Sequence, residues 1–169
     1  MVRNLAVVRD HHPLEAALGQ LKKLGAVLVD PIELGPTPEM SLAELEVMLY
    51  EIKDGMAKYL ATRGDPKIKT LEDLVAFNRE HAAEELSAFG QELFEQAITK
   101  GPLTDKAYLD ARALCLKVAK TEGIDRVMEG RKLDAIATVT MGPAILIDPV
   151  NGDAFGPGPS ASGLPAIAG

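Results

Sequence analysis

Residues Leu5 to Asp30 read LAVVRDHHPLEAALGQLKKLGAVLVD, and this stretch decides the fold class. Leu5 to Val8 is a short apolar run, the pattern of a buried strand. Asp10 or His11 can begin a turn, and Pro13 suits the first position of a helix because its fixed φ is already helical. Leu14, Ala17, Leu18, Leu21 and Leu24 then recur at helix-face spacing. Gly25 is placed to end that helix in the left-handed conformation. Ala26 to Val29 is a second apolar run, closed by Asp30-Pro31. Strand, helix and strand in so few residues read as a βαβ unit, whose two strands run parallel as neighbours.

Downstream the pattern turns helical. Glu33 to Glu39 is a Pro/Gly-rich connector. Ser41 and Glu44 form a Ser-x-x-Glu capping box, which predicts a long helix from Leu42 to about Thr62. Its apolar positions include Leu45, Met48, Leu49, Ile52, Met56 and Leu60, with Gly55 a mild interruption. Tyr50 and Tyr59 lie on this helix and are expected to pack in the core. Gly64-Asp65-Pro66 breaks the chain. Thr70 with Asp73 predicts a new start, continued by Leu71, Leu74, Val75 and Asn78. Ala82 to Ala97 reads as helix, Gly101-Pro102 as a turn, and Thr104 or Asp105 as the cap of a helix through Lys120. Ile124 to Gly130 continues it. Leu133 to Val139 is a third apolar run, rich in β-branched residues, and reads as a buried strand. Beyond Thr140, Gly142-Pro143 opens an irregular stretch, and 149–169 is expected to be a Gly/Pro-rich tail without periodicity. No internal repeat is visible. The expectation is an α/β chain, mostly helical, with about three strands. So few strands leave sheet edges open, the mark of part of a larger fold.

Composition narrows the function. The chain has 169 residues, 47% of them hydrophobic and 25% charged, which suits one globular domain. A net charge of -7 argues against phosphate backbones and acidic membrane surfaces as partners. No apolar stretch approaches the roughly 20 residues of a membrane span. No signal peptide is recognisable at Met1 to Val8, so the expected location is cytoplasmic. The single cysteine, Cys115, sits in an apolar helical stretch and reads as a buried hydrophobe. No histidine is placed beside it to activate the thiol. His11-His12 offers two adjacent ligand types without a third, so no metal site is expected. Glu84-Glu85 and Glu92 with Glu95 read as solvated helix faces. No phosphate-binding glycine loop follows a strand, and no cofactor is expected.

Six strings in series then resemble one family. Leu49 to Gly55, LYEIKDG, with Tyr59-Leu60-Ala61, resembles the long helix of bacterial amidase-signature proteins. TLEDLVAFNREH at 70–81 resembles that family's SLADLIAFNxxH. FGQELFEQA at 89–97 is similar to a string of the peptide-amidase-like branch. LTDKAYL at 103–109 and DAIATVTMGP at 134–143 follow in order. Asn151-Gly152-Asp153 with Pro165 to Gly169 resembles NGD…PAIAGYP.

The resemblance implies a piece of the amidase-signature α/β/α fold, its C-terminal part. It implies a parent activity, hydrolysis of carbon–nitrogen amide bonds by a nucleophilic Ser, a second Ser in a cis peptide and a Lys. Those residues lie upstream of the region matched, so no catalytic residue is assigned to this chain. Gly156 to Gly163 holds Ser160 and Ser162 but only superficially resembles the Ser loop, because Pro157 and Pro159 lack the N–H groups that an oxyanion hole uses. The family's final strand and helices would follow Gly169. By the same resemblance, Thr140, Gly142 and Asp153 are the candidate substrate-binding residues. The chain is expected to be inactive alone. Its expected partners are the missing N-terminal half or a second copy of itself, with a small amide as the parent's substrate. The rival readings are half of a split amidase complemented in trans, and a stand-alone helical binding module.

Overall fold

The computed structural model describes residues 4–7, 12–139 and 162–169. The chain forms two compact units: Met1–Pro38 with Cys115–Gly169, and Glu39–Leu114.

The first unit holds the sheet. β1 (Asn4–Val7), α1 (His12–Lys23) and β2 (Val27–Val29) are the expected βαβ unit, and β1 and β2 are parallel, with Leu5 opposite Leu28. Gly25 takes φ 94°, and the Ala26 N–H reaches back to the Leu21 carbonyl at 3.0 Å. This left-handed cap turns the chain sharply from α1 into β2. β3 (Ala135–Ala137) lies parallel on the other side of β1, with Val7 opposite Ala137, so the strand order is β2-β1-β3.

The strands alternate between two cores, as a period of two requires. Leu28, Ala135, Ala137 and Val139 pack against Leu14 and Leu18 of α1. Val29 and Ile136 join a second cluster with Ile32, Val127 and Leu133. Val127 belongs to α7 (Arg126–Arg131), so α1 and α7 cover opposite faces of the sheet in an α/β/α arrangement.

The helical run before α7 departs from expectation. A π-helix occupies Lys117–Asp125, between α6 (Lys106–Leu116) and α7. A Cβ on Gly123 would lie 2.6 Å from the Val118 carbonyl oxygen. Only glycine lets the wider turn close so tightly. α7 ends at Lys132, which takes φ 52° where glycine is usual, and the Leu133 N–H bonds the Met128 carbonyl at 2.8 Å. α8 (Gly163–Ala168) packs against the π-helix and buries Leu164. The irregular stretch expected at 149–169 therefore ends in a helix; its Gly163 and Pro165 lie in the first turn, where helix interior bonds are not yet needed.

The second unit is helical. α2 (Pro38–Arg63) begins three residues before the expected capping box, because Pro38 can occupy a first turn. It runs unbroken through Gly55. α3 (Leu71–Glu80) opens on the expected box: Thr70 Oγ1 accepts from the Asp73 N–H at 3.2 Å, and Asp73 Oδ2 accepts from the Thr70 N–H at 3.0 Å. The helix expected over Ala82 to Ala97 is two helices, α4 (Ala82–Glu85) and α5 (Glu92–Ile98). Between them, Gln91 turns its side chain inward onto α3. Leu49, Leu71 and Ala97 form this unit's core with Ile52, Met56, Leu74, Phe94 and Ile98. Tyr50 is buried as expected. Tyr59 is not: it is 57% exposed, and Arg63 lies 5.9 Å over its ring. Tyr59 sits nine residues on from Tyr50, half a turn away from the same face.

Candidate functional site

In a parallel sheet, ligands bind beyond the carboxyl ends of the strands, where the order reverses. Here that place is between β1 and β3. One neighbour of β1 is reached through α1 on one face; the other is reached through α7 on the opposite face. β3 leads through Thr138 and Val139 toward Thr140. Thr140, Gly142 and Asp153, the sequence-assigned substrate residues, lie outside the described residues. Most of the Gly156 to Gly163 stretch and His11 do so too.

The last described residues at this strand end show one unusual feature. Val139 packs on the α1 side, so Thr138 points to the α7 side. Its Oγ1 is buried and has no hydrogen-bond partner among the described residues. Such groups are rare in folded proteins.

On that same side of the sheet, a cavity of about 530 Å³ is lined by Pro31, Ile32, Glu33, Arg126, Val127, Gly130 and Arg131. Ile32 and Val127 belong to the buried core and form its apolar part. Sequence reading passed over these residues because they are far apart in the chain and carry no motif.

The motif residues of the second unit turn out to be clips between helices. Lys53 of α2 donates to the carbonyl oxygens of Ile98 and Lys100, at 2.8 and 2.6 Å, at the carboxyl end of α5. A cation there offsets the helix dipole and fills carbonyls that have no partner within the helix. Lys100 pairs with Glu46 at 2.7 Å, and its Nζ stands 5.6 Å over the Tyr50 ring. Tyr50 donates to Asp105 Oδ2 at 3.3 Å, and Tyr108 donates to Glu51 Oε1 at 2.8 Å. The two rings lie 5.6 Å apart. Burial, and then the Asp105 carboxylate, raise the Tyr50 pKa above the ordinary phenol value. The hydrogen bond to Glu51 does the same for Tyr108. Both phenols are thereby held protonated as donors.

Asn78 and Gln91 make a second clip. Asn78 Nδ2 donates to Gln91 Oε1 at 3.1 Å, and Gln91 Nε2 donates to the Val75 carbonyl at 3.2 Å. Glu95, read as a solvated carboxylate, pairs with Arg79 at 2.8 Å. Cys115 is buried, at 4% exposure. Among the described residues, no group of three or more His, Cys, Asp or Glu side chains could hold a metal ion. No helix among them is long and apolar enough to cross a membrane.

Known proteins share this arrangement. No family model matches the chain. A probable amidase of Arabidopsis thaliana is 26% identical over 144 residues, which is 81% of this chain and 28% of that protein. A peptide amidase solved in complex with the competitive inhibitor chymostatin is 34% identical, with a TM-score of 0.86 over 98% of this chain and 35% of its own. The native peptide amidase of Stenotrophomonas maltophilia gives 33% identity and a TM-score of 0.84, again over 98% of this chain and 34% of its own. An amidase family protein of Bacillus anthracis, at 22% identity and a TM-score of 0.65, shares the fold. The chain thus spans about a third of the length of the relatives that it matches.

Proposed function

Starting from a chain that has the fold of part of an amidase-signature protein, we propose that it supplies the scaffold of an amide hydrolase and one wall of its substrate pocket. The supporting observation is the match of 98% of the chain to a peptide amidase at a TM-score of 0.86, over only 35% of that amidase. The parent reaction is attack of a serine on an amide carbonyl, with a second serine and a lysine moving the proton. None of these three groups is assigned to this chain, so it does not turn over substrate alone. Thr140, Gly142 and Asp153 are the residues that contact the substrate in this reading. The substrate class is a small or peptidic amide.

The catalytic groups come from polypeptide outside this sequence, on the same chain or supplied in trans. The outer position of β2 in the described sheet, with apolar side chains exposed on and near it, supports such a complement. In the first unit Leu24 is 76% and Val27 55% exposed; in the second, Leu42 and Phe89 are each 72% exposed. The test is an assay of the 169-residue chain on acetamide and on a C-terminally amidated dipeptide. No ammonia release is expected. Release that is abolished by a serine-directed phosphonylating reagent would refute the assignment.

A further inference from the structure

The cavity between the Pro31–Glu33 segment and α7 brings two arginines, Arg126 and Arg131, to one place. The chain has a surplus of acids, 25 against 18 Lys and Arg. Two cations just before α7 are paired, Lys117 with Glu122 at 3.2 Å and Lys120 with Asp125 at 3.3 Å. Yet both arginines at the cavity, Arg126 and Arg131, have no carboxylate partner among the described residues. Arg126 is held in place by its Nε–H, which donates to the Glu122 carbonyl at 2.6 Å. That bond leaves the outer edge of its guanidinium available. Glu33, on the same cavity, pairs with neither arginine.

The floor is of the opposite kind. Ile32 and Val127 are 8% and 6% exposed and are fixed by packing with Leu133. Gly130 adds no side chain, and a Cβ there would meet nothing within 4 Å, so the space over α7 is open. Two arginines and an apolar floor lining one cavity suit one ligand chemistry, a carboxylate on a short apolar body. A guanidinium fork binds the two oxygens in parallel, while the aliphatic part covers Ile32 and Val127. Glu33 limits the ligand to a single negative charge by repelling a second.

We propose that this cavity binds small monocarboxylates with a branched or aliphatic tail, through Arg126 and Arg131. The site is independent of the amide-hydrolase reading, since it uses no residue assigned to substrate there.

The experiment is a titration of the full chain, labelled with nitrogen-15, with sodium isovalerate, and in parallel with isovaleramide. Saturable shifts of the Gly130 and Arg131 amide signals and of the arginine Nε–H signals are expected with the carboxylate, with an affinity in the millimolar range. The neutral amide should leave them unmoved. Arg131→Gln, an exposed position that leaves the core intact, should weaken binding about fivefold, and Glu33→Gln should tighten it about threefold; single exposed charge contacts have effects of this order. Arg126→Lys keeps the charge and loses the fork, and should also weaken binding. Shifts of equal size with isovaleramide, no saturation, or an unchanged affinity in both arginine variants would overturn the proposal.

Discussion

Replacing Gln91 by methionine keeps the length of the side chain and removes both of its hydrogen bonds. Gln91 is 8% exposed, so water does not reach the lost contacts freely. Two bonds go, from Asn78 at 3.1 Å and to the Val75 carbonyl at 3.2 Å. A net contribution of about 1 kcal/mol per bond gives about 2 kcal/mol. Two features keep the loss from growing. The Val75 carbonyl lies within α3 and keeps its helical donor, and Asn78 is half-buried and can turn toward solvent. Methionine returns part of the loss through apolar burial, so the expected net destabilisation is about 1–2 kcal/mol. Urea titration followed by far-ultraviolet circular dichroism measures it, as a lower midpoint with an unchanged slope. Asn78→Ala should cost less, since one bond remains, and the double variant should show a coupling of about 1 kcal/mol between the sites. A Gln91→Met loss under about 0.5 kcal/mol, the scatter of surface substitutions, would refute the claim that this clip holds α5 to α3.

Other outcomes follow from single contacts. Gly123→Ala places a methyl 2.6 Å from the Val118 carbonyl oxygen and should destabilise the first unit by about 1–3 kcal/mol, read by thermal unfolding. Lys132→Gly relieves a left-handed residue at φ 52° and should stabilise by about 1 kcal/mol, read by the same measurement. Backbone N–H groups of Lys69 and Thr70 hold the Asp73 carboxyl below its usual range, so its contribution is complete above an unfolded pKa of about 3.9 and is lost as pH falls through the lower folded value. The stability advantage of the wild type over Asp73→Asn should therefore be constant near neutrality and vanish in acid, as urea midpoints at a series of pH values would show.

The sequence carried the βαβ unit well because three local signals agreed. Apolar runs bounded the strands, Leu14 and Leu18 recurred at helix spacing, and Gly25 ended the helix. The Thr70 and Asp73 box was legible for the same reason: both partners lie within four residues. What escaped reading depended on distant atoms. The π-helix arises from the approach of Gly123 to Val118, and the apolar period around it looks helical either way. The break at 86–91 is set by Gln91 reaching α3, and a glutamine in a helical pattern looks like any solvated residue. Tyr50 was legible as a core residue, but the bonds of Tyr50 and Lys53 to Asp105, Ile98 and Lys100, which join helices, span too much sequence to be read from spacing. The cavity residues were invisible because Glu33 and Arg131 meet only after the chain has gone around the second unit. Thr140, Gly142 and Asp153 rest on resemblance alone, as they lie outside the described residues.

The pairing of Val7 with Ala137 has a consequence for synthesis. A ribosome releases β1 and β2 close together, but β1 must wait for its second neighbour until the chain has grown by about a further 130 residues. During that interval Glu39–Leu114 has emerged complete, and its core of Leu49, Leu71 and Ala97 can close on its own contacts. Short-range closure is also the faster event, since distant pairings must first overcome loop entropy. Of these three strands, β1 leaves the ribosome well before β3, and until β3 arrives the side of β1 that it will cover is an edge that a nascent-chain chaperone would have reason to shield.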